Sequence, residues 1–136
     1  MDKYIYSIGA LNEAQVKGGI FKPYFYKKGW GHEIWIVNKP EYCSKVLHFE
    51  KDKKCSFHFH KEKDETFHLL KGKLKIILSD NPQKIEEKTT LILNQGESLY
   101  IPHYRVHQII ALEESDLLET STQHFDEDSY RIEKGD

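Results

Sequence analysis

The feature that most restricts this chain is a succession of short strand-like runs, each closed by Gly, Pro, Asn or a charged turn. Residues 33–37 run into Asn38-Lys39-Pro40, and 42–49 into the charged turn 50–54. The pattern continues through 55–60, 66–70, 73–79, 89–93, 98–101, 107–112 and 116–121, with turns at Lys71-Gly72, Asp80-Asn81-Pro82 and Asn94-Gln95-Gly96. Many short strands at even spacing predict an antiparallel all-β sandwich or barrel. Residues 10–18 predict one short helix ended by Gly18-Gly19. The polar stretch from His124 reads equally as a last turn over the barrel mouth or as a frayed tail.

At 136 residues the chain suits a single domain, 1–136. Twenty basic residues nearly balance 22 acidic ones, so the basic footprint of a nucleic-acid binder is missing. All the basic residues are lysines except Arg105 and Arg131, and a planar guanidinium suits phosphate or carboxylate recognition. Cys43 and Cys55 form no CxxC pair and read as free thiols of a reducing compartment. The N-terminus lacks an apolar stretch of signal-peptide length and no later run is long enough for a bilayer, so the expected location is cytoplasmic, with no membrane partner.

In the run 55–60, alternation sends Ser56, His58 and His60 to one face and Cys55, Phe57 and Phe59 to the other. Same-face residues two apart lie roughly 6.5–7 Å apart, so both imidazoles can reach one ion. Glu65 follows a turn and adds an anionic oxygen, and His107 opens a later strand after Pro102. Three neutral nitrogens and a carboxylate suit one divalent transition metal: Zn²⁺ first, with Fe²⁺, Mn²⁺, Ni²⁺ or Co²⁺ as alternatives. His68, His103 and His124 fall outside this set. The outer rings Phe57 and Phe59 need cover, which either a second copy, making a homodimer, or the N-terminal segment would supply.

These intervals resemble the two cupin motifs. His58, His60, Glu65 and Gly72 match the first, with Asp52 where it has a leading glycine. Gly96, Pro102 and His107 match the second, with Tyr104 at its inner glycine and Ala111 at its asparagine. The resemblance covers about residues 45–112 and implies a jelly-roll barrel (double-stranded β-helix) with a bound metal. A second likeness, to cupin-type mannose-6-phosphate isomerases, extends over Trp30-Gly31, Tyr42 to Lys45, Ser56, Tyr100-Ile101-Pro102, Glu119 and the segment Glu127 to Arg131. It implies a sugar or sugar phosphate as substrate, an enediol stabilised by the metal, and Lys45, Glu119 and Arg131 as catalytic residues.

The residues agree with that chemistry. Lys45 shares a strand face with Leu47 and Phe49, so it either enters the barrel as an acid or base or lies solvated outside. Arg131 and Arg105 compete as the phosphate clamp; Arg105 is the cofactor-binding candidate because it stands two residues before His107. Trp30 and Trp35 read as core. Two other functions compete with isomerisation or epimerisation: a sugar-binding cupin without turnover and an iron-dependent dioxygenase.

Overall fold

The structure, a computed structural model, describes residues 13–136. The helical reading over 10–18 is met by α1 (Glu13–Lys17), with residues 10–12 outside the described part. Gly18 N–H closes α1 on Ala14 O at 3.0 Å, and Gly18 takes φ +94°, a conformation glycine adopts without penalty.

Eleven strands follow: β1 (Tyr24–Lys28), β2 (Gly31–Asn38), β3 (Cys43–Phe49), β4 (Phe57–Phe59), β5 (Glu65–Lys71), β6 (Lys73–Ser79), β7 (Thr89–Asn94), β8 (Ser98–Ile101), β9 (Val106–Ala111), β10 (Ser115–Ser121) and β11 (Tyr130–Glu133). They form two antiparallel sheets, ordered β1-β2-β3-β10-β5-β8 and β11-β4-β9-β6-β7, the expected all-β jelly-roll. Strands β1 and β11 lie outside the runs expected from sequence. Both are edge strands, and their mixed, largely exposed sequences carry no clean alternation.

Alternation sorts the inner face of the first sheet by depth. Along β3 the inward residues are Cys43, Lys45, Leu47 and Phe49, all buried. Leu47 and Phe49 join Phe67, Leu69, Leu74, Ile76, Leu78 and Leu117 in the core, where each fully buried side chain contributes about 1.5–3 kcal/mol. At the other end the inward residues turn polar. Trp35, Lys45, Glu119 and Phe67 stand in one register row across β2, β3, β10 and β5, with Glu65 opposite Ser121 beside it. The apolar end holds the barrel together, and the polar end is the floor of the site.

The C-terminal stretch is neither frayed nor a simple turn. A 3₁₀ turn (Asp126–Asp128) leads into β11, which pairs with β4 and sets Tyr130 opposite Phe59 and Arg131 opposite His58. This pairing also bears on the outer rings Phe57 and Phe59. Phe59 stacks on Tyr130 at 5.2 Å and Tyr104 at 6.3 Å, while Lys88 Nζ lies 4.9 Å from the Phe57 ring centroid. Phe57 is buried and Phe59 half-buried by contacts within the described chain. Cys55 is a correction. The ladder of β4 begins only at Phe57, so Cys55 escapes the alternation and packs into the core, accepting the Ile109 N–H on Sγ at 3.3 Å.

Two positions where the resembled motifs carry glycine, Asp52 and Tyr104, have φ of 69° and 68°. The left-handed backbone is retained although the side chain is not glycine, at about 1–2 kcal/mol for such a residue. Gly31 permits no such exchange. Its φ is +148°, and a Cβ there would sit 1.9 Å from the carbonyl oxygen of His48 across the β2–β3 ladder. Gly31→Ala should therefore destabilise the protein by about 3 kcal/mol. A urea midpoint within error of wild type would contradict this account of the turn.

Candidate metal centre

His58 on β4 lies directly opposite His107 on β9, and His60 follows two residues on, just past the end of β4. Their ring centroids are 4.4 Å (His58–His107), 5.0 Å (His58–His60) and 5.8 Å (His60–His107) apart. One ligand nitrogen from each lies within 4.8 Å of the others, so the three could hold a metal ion. Glu65, at the start of β5, brings Oε2 to 3.3 Å from His107 Nε2 and 3.5 Å from His60 Nε2.

Each imidazole is oriented by its other nitrogen. Nδ1–H donates to Ser56 O from His58 (2.9 Å), to Asp128 O from His60 (3.0 Å) and to Arg105 O from His107 (3.0 Å). A proton fixed on Nδ1 leaves the Nε2 lone pair for a ligand bond. Burial, reinforced by His107, pushes His58 down to about 3, and burial with Lys63 pushes His60 to about 2. Both are thus neutral, the form that ligates. Glu65 Oε2 and His107 Nε2 are buried polar atoms without a hydrogen-bond partner among the described residues. A buried carboxylate oxygen and a buried lone pair turned on one another is an arrangement that a cation between them would satisfy. The donor set fits a divalent transition ion.

Behind the cluster lies a charged network. Lys63 Nζ donates to Glu119 Oε2 and to His124 Nδ1, both at 3.1 Å, and stands 3.5 Å from Glu65 Oε1. Burial opposes its charge, but Glu119 and Glu65 outweigh it and hold the amine above the ordinary lysine value. Lys45 is buried too, its Nζ 3.9 Å from Glu119 Oε2 and 3.8 Å from the centre of the Trp35 ring. Here burial is the larger influence and, against Glu119, holds Lys45 below its usual value. Two lysines on one carboxylate are thereby shifted in opposite directions, Lys63 upward and Lys45 downward. His124 passes the chain outward, its Nε2–H donating to Asp126 Oδ1 at 2.9 Å.

Metal cluster and network face one cavity of about 370 Å³, lined also by Trp30, Trp35, Glu33 and Cys55. Burial pushes the Cys55 thiol up to about 12, which makes it an inert wall. Of the sequence-derived candidates, Lys45, Glu119 and Arg131 line this cavity and Arg105 does not; Arg105 Nε instead lies 2.9 Å from Asp80 Oδ1. His68 and His103 are engaged elsewhere, with Ser98 Oγ and Glu62 O. Sequence reasoning misses Lys63, His124 and Asp128 as site residues. Lys63 stands two before Glu65, a spacing that hints at a shared direction, but it sits in a charged segment that reads as a solvated turn.

The Cupin family profile matches residues 36–129, more than half of the chain. No curated protein matches it in sequence. Among solved structures, the capsular polysaccharide assembling protein CapF from Staphylococcus aureus superposes with a TM-score of 0.72 at 18% identity, over 84% of this chain and 35% of that one. KdgF from Halomonas sp. gives 0.60 at 18% identity, over 71% and 81%. Oxalate decarboxylase from Bacillus subtilis gives 0.70 at 16% identity, over 81% and 30%. The chain thus spans about a third of CapF and of oxalate decarboxylase, and at these identities the likeness is one of fold. Among the described residues no helix is long and apolar enough to cross a membrane. The matched profile, the two-sheet jelly-roll and the histidine cluster agree: the chain belongs to the cupin family.

Proposed function

We propose that this cupin is a metal-dependent isomerase or epimerase of a sugar or sugar phosphate, of the mannose-6-phosphate isomerase type. The observation that carries the reading is Lys45, a buried lysine held below its usual value, in the same cavity as the histidine cluster. His58, His60, His107 and Glu65 would hold the ion, which when bound polarises a carbonyl and its neighbouring hydroxyl. Lys45 would take and return the proton exchanged between adjacent carbons, because burial holds its amine below the usual lysine value while Glu119 and Glu65 hold Lys63 above it. Glu119 would steady both amines, and Trp35 covers Lys45 from water. Arg131 is the phosphate clamp, since it lines the cavity opposite His58 whereas Arg105 is engaged with Asp80. That CapF is a capsular polysaccharide assembling protein is in keeping with a sugar ligand.

The test is solvent deuterium exchange into sugar phosphates at the carbon next to the carbonyl, followed by NMR with the metal-loaded protein. Incorporation with aldose–ketose or epimer interconversion is expected. Saturable binding without exchange would replace the enzyme by a sugar-binding cupin, and oxygen consumption dependent on Fe²⁺ would replace it by an oxygenase. Arg131→Ala should raise KM for the phosphorylated substrate about tenfold or more, the size of one lost charge-assisted hydrogen bond, with kcat nearly unchanged. An unchanged KM would remove Arg131 from the phosphate site.

A further inference from the structure

We infer that Asp128 is a positioning residue for the metal centre, fastening the C-terminal segment to the turn that carries His60, Lys63 and Glu65. The inference rests on the metal reading above and extends it to a residue that touches neither metal nor substrate. Asp128 is 2% exposed. Its Oδ1 accepts the N–H groups of Lys61 (2.8 Å) and Glu62 (3.0 Å), and its Oδ2 accepts that of Lys63 (2.9 Å). Three successive backbone N–H groups converging on one anion make a nest, an arrangement that fixes backbone direction as well as charge.

The same residue holds the ligand from the other side. Its main-chain oxygen accepts the His60 Nδ1–H at 3.0 Å, and its Oδ2 lies 3.9 Å from that nitrogen. Asp128 therefore sets the ring plane of His60 and, through the nest, the path on which Lys63 and Glu65 enter β5. The residue itself is anchored by the 3₁₀ turn, where its N–H bonds to Phe125 O at 3.0 Å, and by β11, which starts two residues on. Among the described residues, the donors to this buried carboxylate are the backbone N–H groups of one turn, residues 61–63.

Coupling of this kind is reciprocal: what the segment does for the metal, the metal does for the segment. Two measurements test it. In the first, Co²⁺ affinity and the Co²⁺ electronic spectrum are compared between wild type and Asp128→Asn. The asparagine keeps the size and the main-chain bond to His60, but loses the charge and turns an NH₂ toward one of the three N–H groups. Affinity should fall by about 10- to 100-fold with an altered spectrum. In the second, hydrogen exchange of wild type is followed with and without Zn²⁺. The ion should slow exchange over residues 124–133 as well as 58–65. A folded Asp128→Asn protein with wild-type Co²⁺ affinity and spectrum overturns the inference, whatever its melting temperature. If that variant does not fold, exchange decides, and protection by Zn²⁺ confined to 58–65 overturns it. A wild type that takes up neither ion sinks the metal reading itself, and the inference with it.

Discussion

A His107→Ala protein is expected to lose its divalent metal while keeping its fold. His107 sits on β9, between β4 and β6, and is 1% exposed. Its Nε2 has no hydrogen bond among the described residues, so truncation removes a donor to the ion and, among those residues, the Nδ1–H bond to Arg105 O. The other loss is packing of the ring against Phe67 and His58, which should lower stability by about 2 kcal/mol. The β4–β9–β6 ladder is main chain and survives. Metal affinity should fall by more than about 100-fold, because outer partners of a ligand alone account for 10- to 100-fold. Metal analysis after dialysis, with circular dichroism for the fold, reads both quantities. A folded variant carrying one ion per chain would rule out this ligand set.

Lys45→Met should separate activity from stability. Methionine fills the volume of the lysine stem against Trp35 and removes only the amine. Glu119 then still has Lys63 at 3.1 Å, so no buried charge is stranded. Exchanging a buried amine for an apolar group of similar size is often neutral or stabilising, and the melting temperature should hold or rise. If Lys45 moves the proton, kcat falls by about 100- to 10,000-fold, the range for loss of a general acid or base, with metal content unchanged. In wild type the limb of the pH–rate profile set by Lys45 should lie below the ordinary lysine value of 10.5. Wild-type kcat in the methionine variant would take the proton transfer away from Lys45.

The parts legible beforehand are those decided by local alternation. His58 and His60 two apart, and Lys45 in phase with Leu47 and Phe49, follow from a strand period that needs no knowledge of partners. The solvated alternative for Lys45 is dismissed only once its row with Trp35 and Glu119 is visible. What stays hidden depends on distant partners. Lys63 reads as a surface lysine until Glu119, 56 residues on, is placed against it. Asp128 reads as one acid among several until the turn 67 residues earlier closes on it. Cys55 is misplaced when alternation is extended two residues beyond the ladder that enforces it. Arg105 competes with Arg131 in the sequence because it stands two residues before His107, yet it precedes β9 and its guanidinium goes to Asp80.

The span of these contacts also bears on how the molecule comes into being. Lys63 meets Glu119 across 56 positions, His60 meets Asp128 across 68, and Asn38 meets His124 across 86. None of the three is a contact that a growing hairpin makes on its own. Each closes a loop of a large part of the chain, and that entropy must be spent before the contact gives anything back. Topology of this sort belongs to domains that fold in milliseconds to seconds, and it ties the walls of the cavity to the completed barrel. A nascent chain that has formed β3 to β10 but has yet to place residues 124–133 lacks the carbonyl that orients His60 and the imidazole that meets Lys63.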